Sequence, residues 1–144
     1  MALEDKEQYF VAVKVFLKKD GKLLIMKDKF GDWDLPGGRI RKDEFNSPLE
    51  VVVQRKMCEE LGTDIKYKIG SPVVFIRHER VEQVEGKPTV RIFAIGYEGT
   101  LLAGEIMPSE LHIDILWVDP NNFKPEDYFT GGWLTGVKEY LNRT

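Results

Sequence analysis

Hydrophobic and polar positions along this 144-residue chain follow two rhythms, one with a period near two and one near four. From Tyr9 to Lys18 the run Tyr-Phe-Val-Ala-Val-Lys-Val-Phe-Leu-Lys is dense in β-branched and aromatic side chains, which predicts a strand. Lys19-Asp20-Gly21-Lys22 supplies an Asp-Gly turn, and Leu23-Leu24-Ile25-Met26 returns as the partner, so the first element is a hairpin. Lys27 to Asp32 is a polar loop leading to Trp33, which reads first as a packing anchor and alternatively as a platform for a base.

The period then changes. Leu49, Val53, Met57 and Leu61 recur every four residues and form the expected core stripe of a helix from Pro48 to Leu61. Ser47 is the expected N-cap, with Glu50 completing a capping box and Pro48 at the first helical position. Gly62 is the expected left-handed stop. Beside the core stripe, residues 52, 55, 56 and 59 form a second stripe of different character, and Glu59 and Glu60 lie within one turn of Lys56. Two carboxylates in a last turn face the negative end of the helix dipole, a strain that a cation relieves. A solvated charged face is the alternative meaning of such a pair.

Past the helix, residues 64–68 and 72–77 read as strand pieces broken at Gly70-Ser71-Pro72, and residues 78–88 as an exposed, turn-rich connection. Residues 89–97 alternate again, with Val90, Ile92, Ala94 and Gly96 on one side, and Gly99 is the expected end of that strand. Residues 100–111 read as irregular, 113–118 as a strand and 132–141 as a helix. Strands, a capped helix, more strands and a final helix fit an α+β or α/β sandwich built as one domain over residues 1–144.

Composition narrows the partners. Hydrophobic residues make up 42% and charged residues 31%, the balance of an ordinary globular protein, and the net charge of −3 argues against a nucleic-acid backbone binder. The single cysteine, Cys58, has no internal partner and suits a reducing compartment. The charged N-terminal stretch and the lack of any run near the ~20 apolar residues of a span point to a cytoplasmic chain with no membrane partner.

The order Leu35-Pro36-Gly37-Gly38, then Glu44, Arg55, Glu59-Glu60 and Gly62 resembles the Nudix box, G-x5-E-x7-R-E-U-x-E-E-x-G-U with U aliphatic. The spacing from Gly38 to Glu44 matches, as does that from Arg55 to Gly62, and the lead-in Gly31-Asp32-Trp33-Asp34 is similar to the family's own. Three positions depart from it. Lys56 stands where the family has the glutamate after its arginine, ten residues separate Glu44 from Arg55 instead of seven, and Thr63 replaces the closing aliphatic residue.

The resemblance implies an α/β/α sandwich with a mixed sheet and hydrolysis of a pyrophosphate bond in a nucleoside diphosphate linked to another moiety, assisted by Mg2+ or Mn2+. It casts Glu59, Glu60 and the carbonyl of Gly37 as metal ligands, and Arg55 as the residue that orients the glutamates. Glu44 would pair with Arg55 or ligate a second ion, while Gly38, Arg39 and Lys56 are candidate substrate contacts. Family members are commonly dimers, which makes a homodimer an expectation. An acid expected near the last strand aligns with Leu111, leaving Glu110 and His112 as substitute bases or as ordinary surface residues. Lys56 motivates an alternative, a domain that binds a nucleotide or other phosphate ligand without turnover. An ammonium about 4 Å from a carboxylate attracts it by on the order of 4 kcal/mol at an effective dielectric near 20, and so competes with a metal.

Overall fold

In the computed structural model, which describes residues 3–84 and 86–143, the hairpin forms as its sequence dictates. Strands β1 (Phe10–Lys19) and β2 (Lys22–Asp28) pair antiparallel around Asp20 and Gly21, both left-handed at φ 52° and 76°. Such a turn matches the right-handed twist of the strands it joins.

β1 is the middle of the protein. Its residues 12–17 are buried without interruption, the mark of a strand covered on both faces. It lies parallel to β6 (Lys87–Gly104) and antiparallel to β2 and to the short β4 (Gly37–Arg39). β3 (Trp33–Asp34) and β7 (His112–Val118) extend the sheet from β2, and β5 (Ile65–Val84) closes the other edge against β6. Helix α1 (Leu49–Leu61) covers one face, where Val13, Val15, Leu17, Leu24 and Met26 meet Val52, Val53, Met57 and Leu61. Helix α2 (Gly131–Asn142) covers the other, where Ala12, Phe16, Ile25, Ile76 and Ala94 meet Val137 and Tyr140. The mixed sheet between two helices is the expected α/β/α sandwich.

Five local expectations are corrected. Pro48, not Ser47, is the residue at the N-terminus of α1, at φ −56° and ψ 144°, and no side chain caps the helix. The first turn closes on the Pro48 carbonyl, which accepts from the Val51 and Val52 amides, so Ser47 falls one residue too early. The reciprocal cap occurs earlier in the chain, at the 3-10 turn Lys42–Glu44, where the Arg41 amide donates to Glu44 Oε1 at 2.9 Å and the Glu44 amide to the Arg41 carbonyl at 3.0 Å. The core stripe is buried at Val53, Met57 and Leu61 but not at Leu49, which is 38% exposed, and Val52 of the second stripe is fully buried.

The remaining corrections concern length. β5 runs through Gly70-Ser71-Pro72 with register shifts on either side of Pro72. A proline lacks the amide a central strand needs, but β5 is an edge, where a bulge absorbs it. Residues 78–88 are paired strand, from His78 opposite Ile92 to Val84 opposite Lys87, with Gly86 in the turn at φ 75°; Glu85 of that stretch lies outside the described residues. β6 likewise continues past Gly99 to Gly104. Gly99 admits Val15, whose Cγ1 lies 2.6 Å from where a Cβ would stand, so this glycine serves packing. β7 and α2 fall within a residue of their expected starts and ends. Trp33 packs edge-on against Tyr128 at 5.2 Å.

Candidate active site

The site begins at a corner that only glycine can turn. Gly37 has φ 137°, and a Cβ on it would stand 2.0 Å from the Val13 carbonyl oxygen. Without one, β4 lies flush against β1, with Gly38 opposite Val13 and Gly37 opposite Lys14. The Gly37 amide then donates to Glu60 Oε1 at 3.1 Å, tying the last turn of α1 to the corner.

Arg55 organises the carboxylates. Its Nε donates to Glu44 Oε2 at 2.6 Å, its Nη2 to Glu44 Oε1 and more weakly, at 3.5 Å, to the Arg39 carbonyl, and its Nη1 to Glu59 Oε1 at 2.9 Å. Glu44 is 7% exposed, and the Arg55 hydrogen bonds outweigh that burial, holding its carboxyl down at about 2. Arg55 is held above its ordinary range by the same bonds. Glu59, 46% exposed, is held below the usual carboxylate range, first by Arg55, with Lys56 adding to it. The ten-residue spacing is accommodated because Glu44 closes its own 3-10 turn before the chain reaches α1.

Glu60 is the opposite case. Burial pushes its carboxyl up to about 7, against the pull of Lys14 and with the help of Asp34. His112 Nε2 is 4.0 Å from Glu60 Oε1, and its Nδ1 is 3.1 Å from Ser109 Oγ. Burial lowers the His112 pKa, leaving the imidazole neutral near pH 7. Of the two substitute bases considered, His112 is therefore at the glutamates, whereas Glu110 is exposed.

Lys56 lies across the corner. Its Cε and Nζ are each 2.6 Å from the position of a Gly38 Cβ, and its Nζ is 3.6 Å from Glu59 Oε2. Arg39 instead turns to Glu82, donating from Nη2 at 2.8 and 2.9 Å, and its guanidinium lies 5.0 Å from the centre of the Phe10 ring. Cys58 is exposed and free.

The sequence reading missed the neighbouring cleft of about 260 Å3, whose lining includes Trp33, Asp34, His78, Arg80, Tyr128 and Trp133. His78 stacks on Trp133 at 4.8 Å and accepts the Gly132 amide through Nδ1 at 3.1 Å. The lining Asp34 accepts from the buried Lys14 through both oxygens, at 2.9 and 3.0 Å, and Lys14 also donates to the Leu35 carbonyl at 3.2 Å. A lone lysine inside the hydrophobic run of β1 was the available signal, since a buried ammonium requires a partner. Larger hollows of about 860 and 580 Å3 lie along Tyr9, Glu79 and Arg91, where no glutamate of α1 reaches.

Among the described residues, no three His, Cys, Asp or Glu side chains gather as a metal cage. Magnesium does not require one, because it binds through one or two carboxylates and completes its shell with water and substrate phosphate. The hard oxygen donors of Glu59 and Glu60 fit that smaller demand. Among the described residues, no helix is long and apolar enough to cross a membrane.

The fold and this carboxylate corner define a small α/β/α sandwich with glutamates gathered at a glycine turn. A family model, the NUDIX domain, matches residues 8–133, and the chain belongs to the NUDIX hydrolase family. The MutT protein of Methanosarcina mazei Go1 is similar in structure with a TM-score of 0.72 at 23% identity, covering 96% of this chain and 94% of that one. The ORF135 protein of E. coli matches with a TM-score of 0.70 at 19% identity over 99% and 94%. An ADP-ribose pyrophosphatase from Streptococcus suis 89-1591 matches with a TM-score of 0.66 at 18% identity over 94% and 92%. At these identities the likeness is one of fold.

Proposed function

We propose that this protein hydrolyses the pyrophosphate bond of a nucleoside diphosphate joined to a further group, in the cytoplasm, with Mg2+ or Mn2+ as the metal. The observation that carries the reading is the junction of the last turn of α1 with the glycine corner, through the Gly37 amide and Glu60, beside an aromatic cleft.

Glu59, Glu60 and the Gly37 carbonyl would hold the ion. When bound, the ion supplies charge neutralisation at the phosphate oxygens and polarises the attacked phosphorus. Arg55 works through the glutamates: by bridging Glu44 and Glu59 it keeps Glu59 ionised and fixes its direction. Burial lifts the Glu60 carboxyl to about 7 without metal, and a bound cation would return it to the ionised form that a ligand requires. His112 Nε2 lies 4.0 Å from Glu60 Oε1, beyond direct hydrogen-bond reach. Trp33 and Trp133 offer aromatic surface for a base, with Asp34 and Arg80 as polar contacts.

The test is incubation with nucleoside diphosphate sugars, dinucleoside polyphosphates and nucleoside triphosphates, each with magnesium or manganese, following phosphate-containing products. Turnover of at least one class, lost in Glu59→Gln and Glu60→Gln, is expected. No turnover with either metal across the panel would refute the reading.

A further inference from the structure

Four cations border the glycine corner, and three are paired at hydrogen-bond distance with carboxylates, Lys14 opposite Gly37 with both oxygens of Asp34. Arg55 spans Glu44 and Glu59 with three hydrogen bonds at or below 2.9 Å. Arg39 is held by both oxygens of Glu82. Lys56 is different. It meets Glu59 at 3.6 Å, beyond ordinary hydrogen-bond length, and its side chain is 19% exposed. Its last two atoms occupy the space that a side chain at position 38 would take, which puts the ammonium against the turn.

We propose that the Lys56 ammonium is a resident cation of this site, taking the place of one divalent ion at the diphosphate, so that a pyrophosphate group is captured before any metal binds. The inference rests on the proposed function only for where the diphosphate lies. A lysine is a compact point charge with three donors, suited to a phosphate oxygen. Glu59 is its competitor: the carboxylate that faces the ammonium must release it in part when an anion arrives.

The test is calorimetric titration of the protein with inorganic pyrophosphate in excess EDTA. Wild type should bind, Lys56→Met should bind at least tenfold more weakly, and Glu59→Gln, which removes the competitor and leaves the lysine, should bind several-fold more tightly. Lys56→Glu should lose metal-free binding and gain at least tenfold in Mn2+ affinity, read from manganese binding alone. Equal affinity in wild type and Lys56→Met, or no binding by wild type, would overturn the proposal. Should Lys56→Met fail to fold, unchanged affinity in Glu59→Gln overturns it instead. Turnover with magnesium but no metal-free binding would sink this inference and leave the hydrolase reading standing; Lys56-dependent binding without turnover would do the reverse.

Discussion

Replacing Glu60 by glutamine should make the protein more stable as pH rises while removing its activity. Burial lifts the Glu60 carboxyl from its ordinary 4.5 to about 7, so ionising it costs more in the folded chain than in the unfolded one. A gap of about 2.5 in pKa, at about 1.4 kcal/mol for each unit, amounts to about 3 kcal/mol. The sign follows from the direction of the shift. With the folded pKa above the unfolded one, the contribution is fully present below pH 4.5 and is lost as pH rises through about 7. Against a total stability of roughly 5–15 kcal/mol, that loss is large. Glutamine never ionises, and its amide oxygen can still accept the Gly37 amide, so the variant escapes it. Urea unfolding of both proteins in EDTA, at pH 4 and pH 8, measures the effect. The advantage of Glu60→Gln should grow by about 3 kcal/mol between those values, or about 1.5 M in midpoint for a slope near 2 kcal/mol/M. A difference that stays constant with pH would refute the assignment of Glu60 as a desolvated carboxylate.

Gly37→Ala should prevent folding or cost more than about 3 kcal/mol, because its Cβ would lie 2.0 Å from the Val13 carbonyl oxygen at a φ that side chains rarely adopt; circular dichroism with thermal melting checks it. Met57→Ala empties a fully buried place between α1 and the sheet, and chemical denaturation should show a loss of about 2–5 kcal/mol. Tyr140→Phe keeps the stack on Phe16 at 4.0 Å but leaves Glu98 without the hydroxyl that donates to it at 2.7 Å, costing about 1–2 kcal/mol in the same assay. The Glu44–Arg55 pair should contribute stability above pH 4.5 that is lost as pH falls towards about 2; acid titration of wild type and Glu44→Gln should therefore converge at low pH.

Features governed by neighbours in sequence were legible in the chain itself. The Asp20-Gly21 turn, the Gly62 stop at φ 86° and the spacing of Arg55, Glu59 and Gly62 each depend on a few adjacent residues, and each stands as read. Glu44, for which the resemblance implied either pairing with Arg55 or a second ion, hydrogen-bonds to Arg55 eleven residues away. Local backbone preference and side-chain reach within a helix decide such features, and both are properties of short segments.

Burial and strand pairing belonged to the tertiary structure. Val53, Met57 and Leu61 of the expected stripe meet the sheet, whereas Leu49 at the helix start lies 38% exposed and Val52 beside the stripe is fully buried. The polar stretch after His78 is strand because β6 supplies a ladder that local composition does not announce. Lys14 with Asp34, and Glu60 with His112, meet across 20 and 52 residues of chain only when the sheet assembles. The chemistry of the corner follows from that assembly: the glutamates are adjacent in sequence, yet one stays ionised beside Arg55 while the other, desolvated, is pushed up to about 7. Identity came from the sequence, whereas protonation is set by how much water the folded chain leaves around each group.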